Sequence, residues 1–127
     1  MMQSPRARPL SPHIQIYKWQ ITSVLSIIHR FTGIVLCGGL IGFIAWLYLL
    51  SLGANDYTFW MEFFNIPLGQ IFLWSVIFSL NYHFINGLRH LAWDKGWGFT
   101  MKDVNKNGYF VVIFTFAITM LMFVGWR

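Results

Sequence analysis

Three stretches of the chain contain no Asp, Glu, Lys or Arg: residues 31–50, 69–88 and 109–126. Each is close to the ~20 apolar residues that carry a helix across a hydrocarbon core of about 30 Å. The helical pattern of the first extends back to residue 21, and a helix over 21–50 is about 45 Å long at 1.5 Å per residue, so it must tilt or protrude. Pro67 suits the opening turn of a second helix, which continues to residue 93 before Asp94, Lys95 and Gly96 end it. Inside the third stretch Thr115 and Thr119 can hydrogen-bond their own helix. The pattern predicts an all-α membrane protein, a single domain over 1–127. It has an arm at 1–20, transmembrane helices at 21–50, 69–93 and 109–126, and loops at 51–68 and 94–108.

Composition excludes the main rival class. The 127 residues are 57% hydrophobic and 10% charged, against the roughly one-quarter charged residues of a soluble domain. A net charge of +5 does not point to nucleic acid, because the nine basic residues are scattered among seven Trp, five Tyr and thirteen Phe and form no basic stripe. They fit membrane topology instead. Arg6, Arg8 and Lys18 lie in the arm and Lys95, Lys102 and Lys106 in the second loop, while the first loop carries Asp56 and Glu62 and no base. The positive-inside rule puts the amino terminus and second loop on the cytoplasmic side or its mitochondrial equivalent, the matrix, and Arg127 on the other. Trp60, Phe63 and Phe64 at one boundary, and Trp93, Trp97 and Phe99 at the other, suit interfacial belts. The arm, with Pro5, Pro9 and Pro12, has no apolar core of signal-peptide type, so the first span is expected to direct insertion. The single cysteine, Cys37, allows no internal disulfide and no cysteine-based metal motif.

Ionisable groups within such spans are costly and mark function by default. In the first helix Ser23, Ser26, Arg30, Gly33 and Cys37 follow one another at spacings of three and four, a stripe of small or polar groups. Close helix packing accounts for Ser23 and Gly33, and for Gly38 and Gly42 in a small-xxx-small spacing. Arg30 has two readings: a snorkelling residue at the inner boundary, or a functional cation. In the second helix His83 and His90 stand two turns apart on one face, near Ser79, Asn86 and Gly87. A neutral imidazole is the usual protein ligand of haem iron, and a glycine one turn away leaves room for a flat macrocycle. A hydrogen-bonded packing histidine is the alternative. His83 lies about 9 Å along the helix inside the charge of Arg89, whereas His90 sits at the membrane edge. With the helices antiparallel, Ser26, His29, Arg30 and His83 fall in the same half of the membrane.

Three motifs in order resemble a known family, the cytochrome b membrane anchors of succinate dehydrogenase, respiratory complex II. They are Arg8-Pro9-Leu10-Ser11-Pro12-His13 with Ile16-Tyr17 in the arm, Ser26-Ile27-Ile28-His29-Arg30-Phe31-Thr32-Gly33 in the first helix, and His83-Phe84-Ile85-Asn86-Gly87-Leu88-Arg89-His90-Leu91-Ala92-Trp93-Asp94 in the second. The third helix matches in character alone.

The resemblance implies a heterodimeric helical bundle holding one b-type haem (haem b), with His83 as one axial iron ligand and the other supplied by a second membrane-anchor subunit. It implies that Ser26, Ile27 and Arg30 form part of a ubiquinone site, and that His29 and Arg30 lie near the haem propionates. The arm is expected to help dock an iron–sulfur subunit, and succinate to be oxidised in a separate flavoprotein subunit, since this chain carries no flavin or cluster motif. The membrane implied is the bacterial cytoplasmic (inner) membrane or the mitochondrial inner membrane. Asp94 matches an acidic position of the family without an assigned role. Three alternatives stay open: an anchor of a fumarate reductase, a haem-free structural anchor or small helical-bundle transporter subunit in which His83 merely packs, and a haem held by His29 and His83 together.

Overall fold

The computed structural model describes residues 17–126, without the side chains of 54–57. Of the arm motif only Tyr17 is described; the rest of it, Arg6 and Arg127 lie outside the described residues. Four helices follow in order: α1 (Ile21–Leu52), α2 (Ala54–Asn65), α3 (Pro67–Asp94) and α4 (Met101–Trp126). Three of them, α1, α3 and α4, are long and apolar enough to cross a membrane, and the described residues contain no strand. The chain is an all-α membrane protein.

Two segments expected as loops are partly helical. The stretch 51–68 holds α2, an aromatic-rich helix set off from α1 by Gly53 at φ 127°, a backbone conformation that side chains disfavour. Ile66 is extended at φ −84° and ψ 151° before Pro67 opens α3, as the residue preceding a proline must be. Gly69 packs against the end of α2 so closely that an added Cβ would collide with the Phe63 carbonyl. At the other loop, α4 begins at Met101 instead of residue 109. Thr100 starts it: its hydroxyl accepts the Asp103 N–H at 3.2 Å and donates to the Asp103 carboxylate at 2.6 Å, a cap that satisfies orphan groups of the first turn. Charge along 102–106 hid those turns from a hydropathy reading, because a helix can continue past the membrane boundary into water.

The three long helices pack side by side, neighbours in sequence antiparallel. Tyr82 meets Leu25, and further along Val76 meets Gly39 and Phe72 meets Gly42, so α1 and α3 run in opposite directions. On the other side of α3, Arg89 reaches Val104, Asn81 reaches Thr119 and Trp74 packs edge-on against Phe123 with ring centroids 4.9 Å apart. Gly108 lets α4 close on Ile21 and Leu25 of α1. The end where α1 begins, α3 stops and α4 begins is called proximal below. The buried apolar cluster lies there: Leu25, Tyr82, Ile85 and Val111, with Ile21, Ile28 and Val112 against it.

One packing expectation is corrected. Gly38, paired with Gly42 on spacing, faces open space, and a Cβ there would meet nothing within 4 Å. The close approach is made by Gly39, where a Cβ would come within 2.8 Å of Val76 Cγ1. Gly39 and Gly42 stand three positions apart, and both face α3. Thr115 back-bonds to Val111 at 2.7 Å, whereas Thr119 accepts the Asn81 amide at 3.0 Å and joins α4 to α3.

Candidate functional site

Two polar layers lie side by side at the proximal end, both built on α3. In the first, the ring of His83 is clamped against α1. Thr32 is 2% exposed, and its hydroxyl donates to the His29 carbonyl one turn back at 2.9 Å, a habit of threonine within helices. The same oxygen lies 3.2 Å from Nδ1 of His83. Gly33, the next residue, leaves the ring its space, since a Cβ there would stand 3.3 Å from Cε1 of His83. The His29 ring stacks on His83 with centroids 3.7 Å apart and planes inclined by 16°, and His90 stands 5.6 Å from His29.

This layer has unused valence. Nε2 of His83 finds no hydrogen-bond partner among the described residues, and Nδ1 of His29 is buried and unpartnered. A Cβ at Gly87, one turn from His83, would meet nothing within 4 Å, so bare backbone lies beside a half-buried imidazole. An oriented ring with a free nitrogen next to an open glycine surface fits one axial side of a flat iron macrocycle.

The second layer faces α4. Arg89 is 7% exposed; its guanidinium donates to Asn86 Oδ1 at 3.4 Å and to the Val104 carbonyl at 3.3 Å, and lies 4.1 Å over the Trp93 ring. Asn86 is fully buried. Tyr82, one turn before it, donates to the Leu25 carbonyl at 2.7 Å and ties α3 to α1. The histidine face anticipated from spacing is therefore split. Ser79, Tyr82, Asn86 and Arg89 point into the bundle, while His83 and His90 form the adjoining, half-buried row.

The structure brings His29, Thr32 and Gly33 of the first-helix motif against His83 and leaves Ser26, Ile27 and Arg30 outside that contact. Ser26 is half-buried, and Ile27 and Arg30 are exposed. Arg30 finds no ion-pair partner among the described residues. Ser26 and Arg30 lie one turn apart on α1, beside His29 and outside the α1–α3 seam. Asp94 ends α3, exposed. Sequence reasoning missed Thr32 and Tyr82 and gave the buried Arg89 no contacts. The available signals were spacings of three: His29 to Thr32, and Asn86 to Arg89.

Comparison with known proteins bears directly on this arrangement. Residues 4–122 match the family described as succinate dehydrogenase/fumarate reductase transmembrane subunit. The chain is 44% identical over 117 residues to the succinate dehydrogenase cytochrome b556 subunit of Rickettsia felis, covering 92% of this chain and 91% of that one. It is 37% identical over 122 residues to the cytochrome b560 subunit of Reclinomonas americana, covering 92% and 85%. With the mitochondrial cytochrome b560 subunit of Mus musculus the identity is 41% over 110 residues, covering 84% and 64%. The matched region spans all three long helices and both polar layers: the chain belongs to the succinate dehydrogenase/fumarate reductase transmembrane subunit family.

Proposed function

We propose that this chain is a cytochrome b membrane anchor of a succinate:quinone oxidoreductase, holding one side of a b-type haem and part of a ubiquinone site. The observation that carries this reading is His83: its Nδ1 is engaged by Thr32, its Nε2 is free, and Gly87 beside it is bare. An unpartnered Nε2 in a membrane helix costs free energy that a bond to a ligand would offset.

His83 would hold the haem iron on one side, and a second anchor subunit would supply the opposite ligand. When bound, haem supplies one-electron transfer chemistry. Near its carboxylates this chain offers His29, with its unpartnered Nδ1, and the adjacent Arg30. Succinate is oxidised in a flavoprotein subunit, and an iron–sulfur subunit docked on the proximal side passes electrons on. That side faces the cytoplasm or matrix, by the Lys and Arg of the arm and second loop.

Reduction of a quinone takes two electrons and two protons, so its carbonyl oxygens gain negative charge before they are protonated. Ser26 donates a hydroxyl hydrogen bond to one such oxygen, and Arg30 stabilises the developing charge while keeping its own proton. Ile27 offers an apolar wall; it is 52% exposed, as a lining residue awaiting a ligand and a neighbouring subunit should be. Nothing in Ser26 or Arg30 makes either a free base.

The test is optical. The purified complex, reduced with dithionite and compared with its oxidised form, shows a b-type haem band; a complex without one defeats the reading in favour of a haem-free anchor. His83→Ala shifts or abolishes that band while His90→Ala leaves ligation intact, and an unchanged band and midpoint in the first variant refutes the assignment of His83.

A further inference from the structure

We propose that Thr32 fixes the tautomer of His83, placing the ring proton on Nδ1 and leaving the Nε2 lone pair as the donor to iron; the proposal rests on the haem reading above. A threonine hydroxyl has one hydrogen and two acceptor lone pairs. Thr32 commits its hydrogen to the His29 carbonyl at 2.9 Å, so toward His83 its oxygen can only accept. The 3.2 Å contact with Nδ1 is then an Nδ1–H donating into Thr32 Oγ1. A neutral imidazole carries one N–H, so the lone pair falls on Nε2.

Three features make the assignment stable. Thr32 is 2% exposed, so water does not compete for its lone pairs. The stacked His29 ring at 3.7 Å and the glycine at 33 confine the His83 ring. The carbonyl that takes the Thr32 hydrogen belongs to His29 itself, so one residue of α1 both stacks on the ligand and fixes the polarity of the hydroxyl that orients it. A partner that accepts the second N–H of a ligating histidine orients the ring and raises its basicity. Thr32 is thus a positioning residue, acting through His83. A basic ligand favours the oxidised metal, so loss of the hydroxyl moves the equilibrium toward the reduced haem.

The experiment compares Thr32→Val, which keeps the shape and removes the hydroxyl, with Thr32→Ser, which keeps the hydroxyl. Both are made in the whole complex with its partner subunits, and the haem band is followed through a redox titration normalised to haem content. Thr32→Val is expected to raise the reduced-to-oxidised ratio at a given potential about tenfold, which is about 59 mV for a one-electron couple, and Thr32→Ser to restore the wild-type midpoint. Loss of haem from the Val variant with retention in the Ser variant supports the same role. A wild-type midpoint in the Val variant, or a Ser variant as altered as the Val variant, overturns it. Absence of haem from the wild-type complex defeats the underlying haem reading instead, and is told apart by that control.

Discussion

The rings of His29 and His83 lie face to face, 3.7 Å between centroids and 16° from parallel. Two axial ligands of one haem must approach the iron from opposite sides with in-plane nitrogen lone pairs directed at each other. Stacked rings offer each other π faces and leave no space for a metal between them. The chain expressed without its partner anchor is therefore expected to form no bis-histidine b-type haem. Added haem should give no low-spin spectrum of that kind, and a full low-spin spectrum from the isolated chain would show that a ligand pair can form within it.

Arg30 separates quinone binding from membrane anchoring. As an interfacial cation it would be replaceable by Lys, since both side chains snorkel and carry one charge. As a planar donor to a quinone or carboxylate it would not, because Lys keeps the charge and loses the fork. Arg30→Lys and Ser26→Ala are expected to lower quinone reduction about tenfold or more, which corresponds to a loss of about 1.4 kcal/mol of transition-state stabilisation. Succinate oxidation by an artificial soluble acceptor should stay near normal. The measurement is the ratio of the two activities at equal complex content, and wild-type ratios in both variants refute the role.

Gly39 and Gly38 predict opposite outcomes for the same change. Gly39→Ala drives a methyl to 2.8 Å from Val76 Cγ1, and overpacking of this kind costs about 1–3 kcal/mol. Gly38→Ala meets nothing within 4 Å and should change stability of the chain in micelles by less than about 0.5 kcal/mol. Adding Val76→Ala to the Gly39 variant should recover most of its loss. Equal effects at 38 and 39 in thermal unfolding would contradict the packing.

Asn86 and Arg89 give an ordering. Asn86→Ala removes an acceptor from a buried cation, and losing a hydrogen bond to a charged group costs about 1.5–3 kcal/mol. Arg89→Met removes the charge together with its desolvation and keeps an apolar stem, so it should cost less than the Asn86 change. Thermal inactivation of the assembled complex ranks the two, and the reverse order would show that the Arg89 bonds to Val104 and Trp93 outweigh its burial.

The spans were legible because lipid imposes length and the exclusion of charge, constraints visible in any window of twenty residues. What lay beyond the hydrocarbon was not legible this way. The start of α4 depends on one threonine cap at Thr100, and α2 on the turn at Gly53, neither of which shows in hydropathy. At the site, His83 stood out by its depth, but the helix faces were blurred by half a residue per turn. His83 and Asn86 share a stripe on a helical wheel, yet in the bundle one faces α1 and the other the interior. Gly38 and Gly39 show the same limit, because rotation of α1 against α3, not spacing, decides which glycine closes the gap. The role of Thr32 was hidden for another reason. Its part depends on a residue far away in sequence, and no local pattern pairs position 32 with position 83.

The buried apolar side chains of this bundle are crowded at one end, around Leu25, Tyr82, Ile85 and Val111, while Ile113, Leu121 and Val124 look outward. Tolerance to substitution in such a chain is expected to be lopsided. Where 113, 121 and 124 meet fluid acyl chains, one aliphatic side chain is expected to serve as well as another. At 25, 85 and 111 a change of shape is expected to need an answering change in a neighbour. Substitution is expected to be tolerated along the outward walls and resisted beside the place where His83 and Thr32 meet.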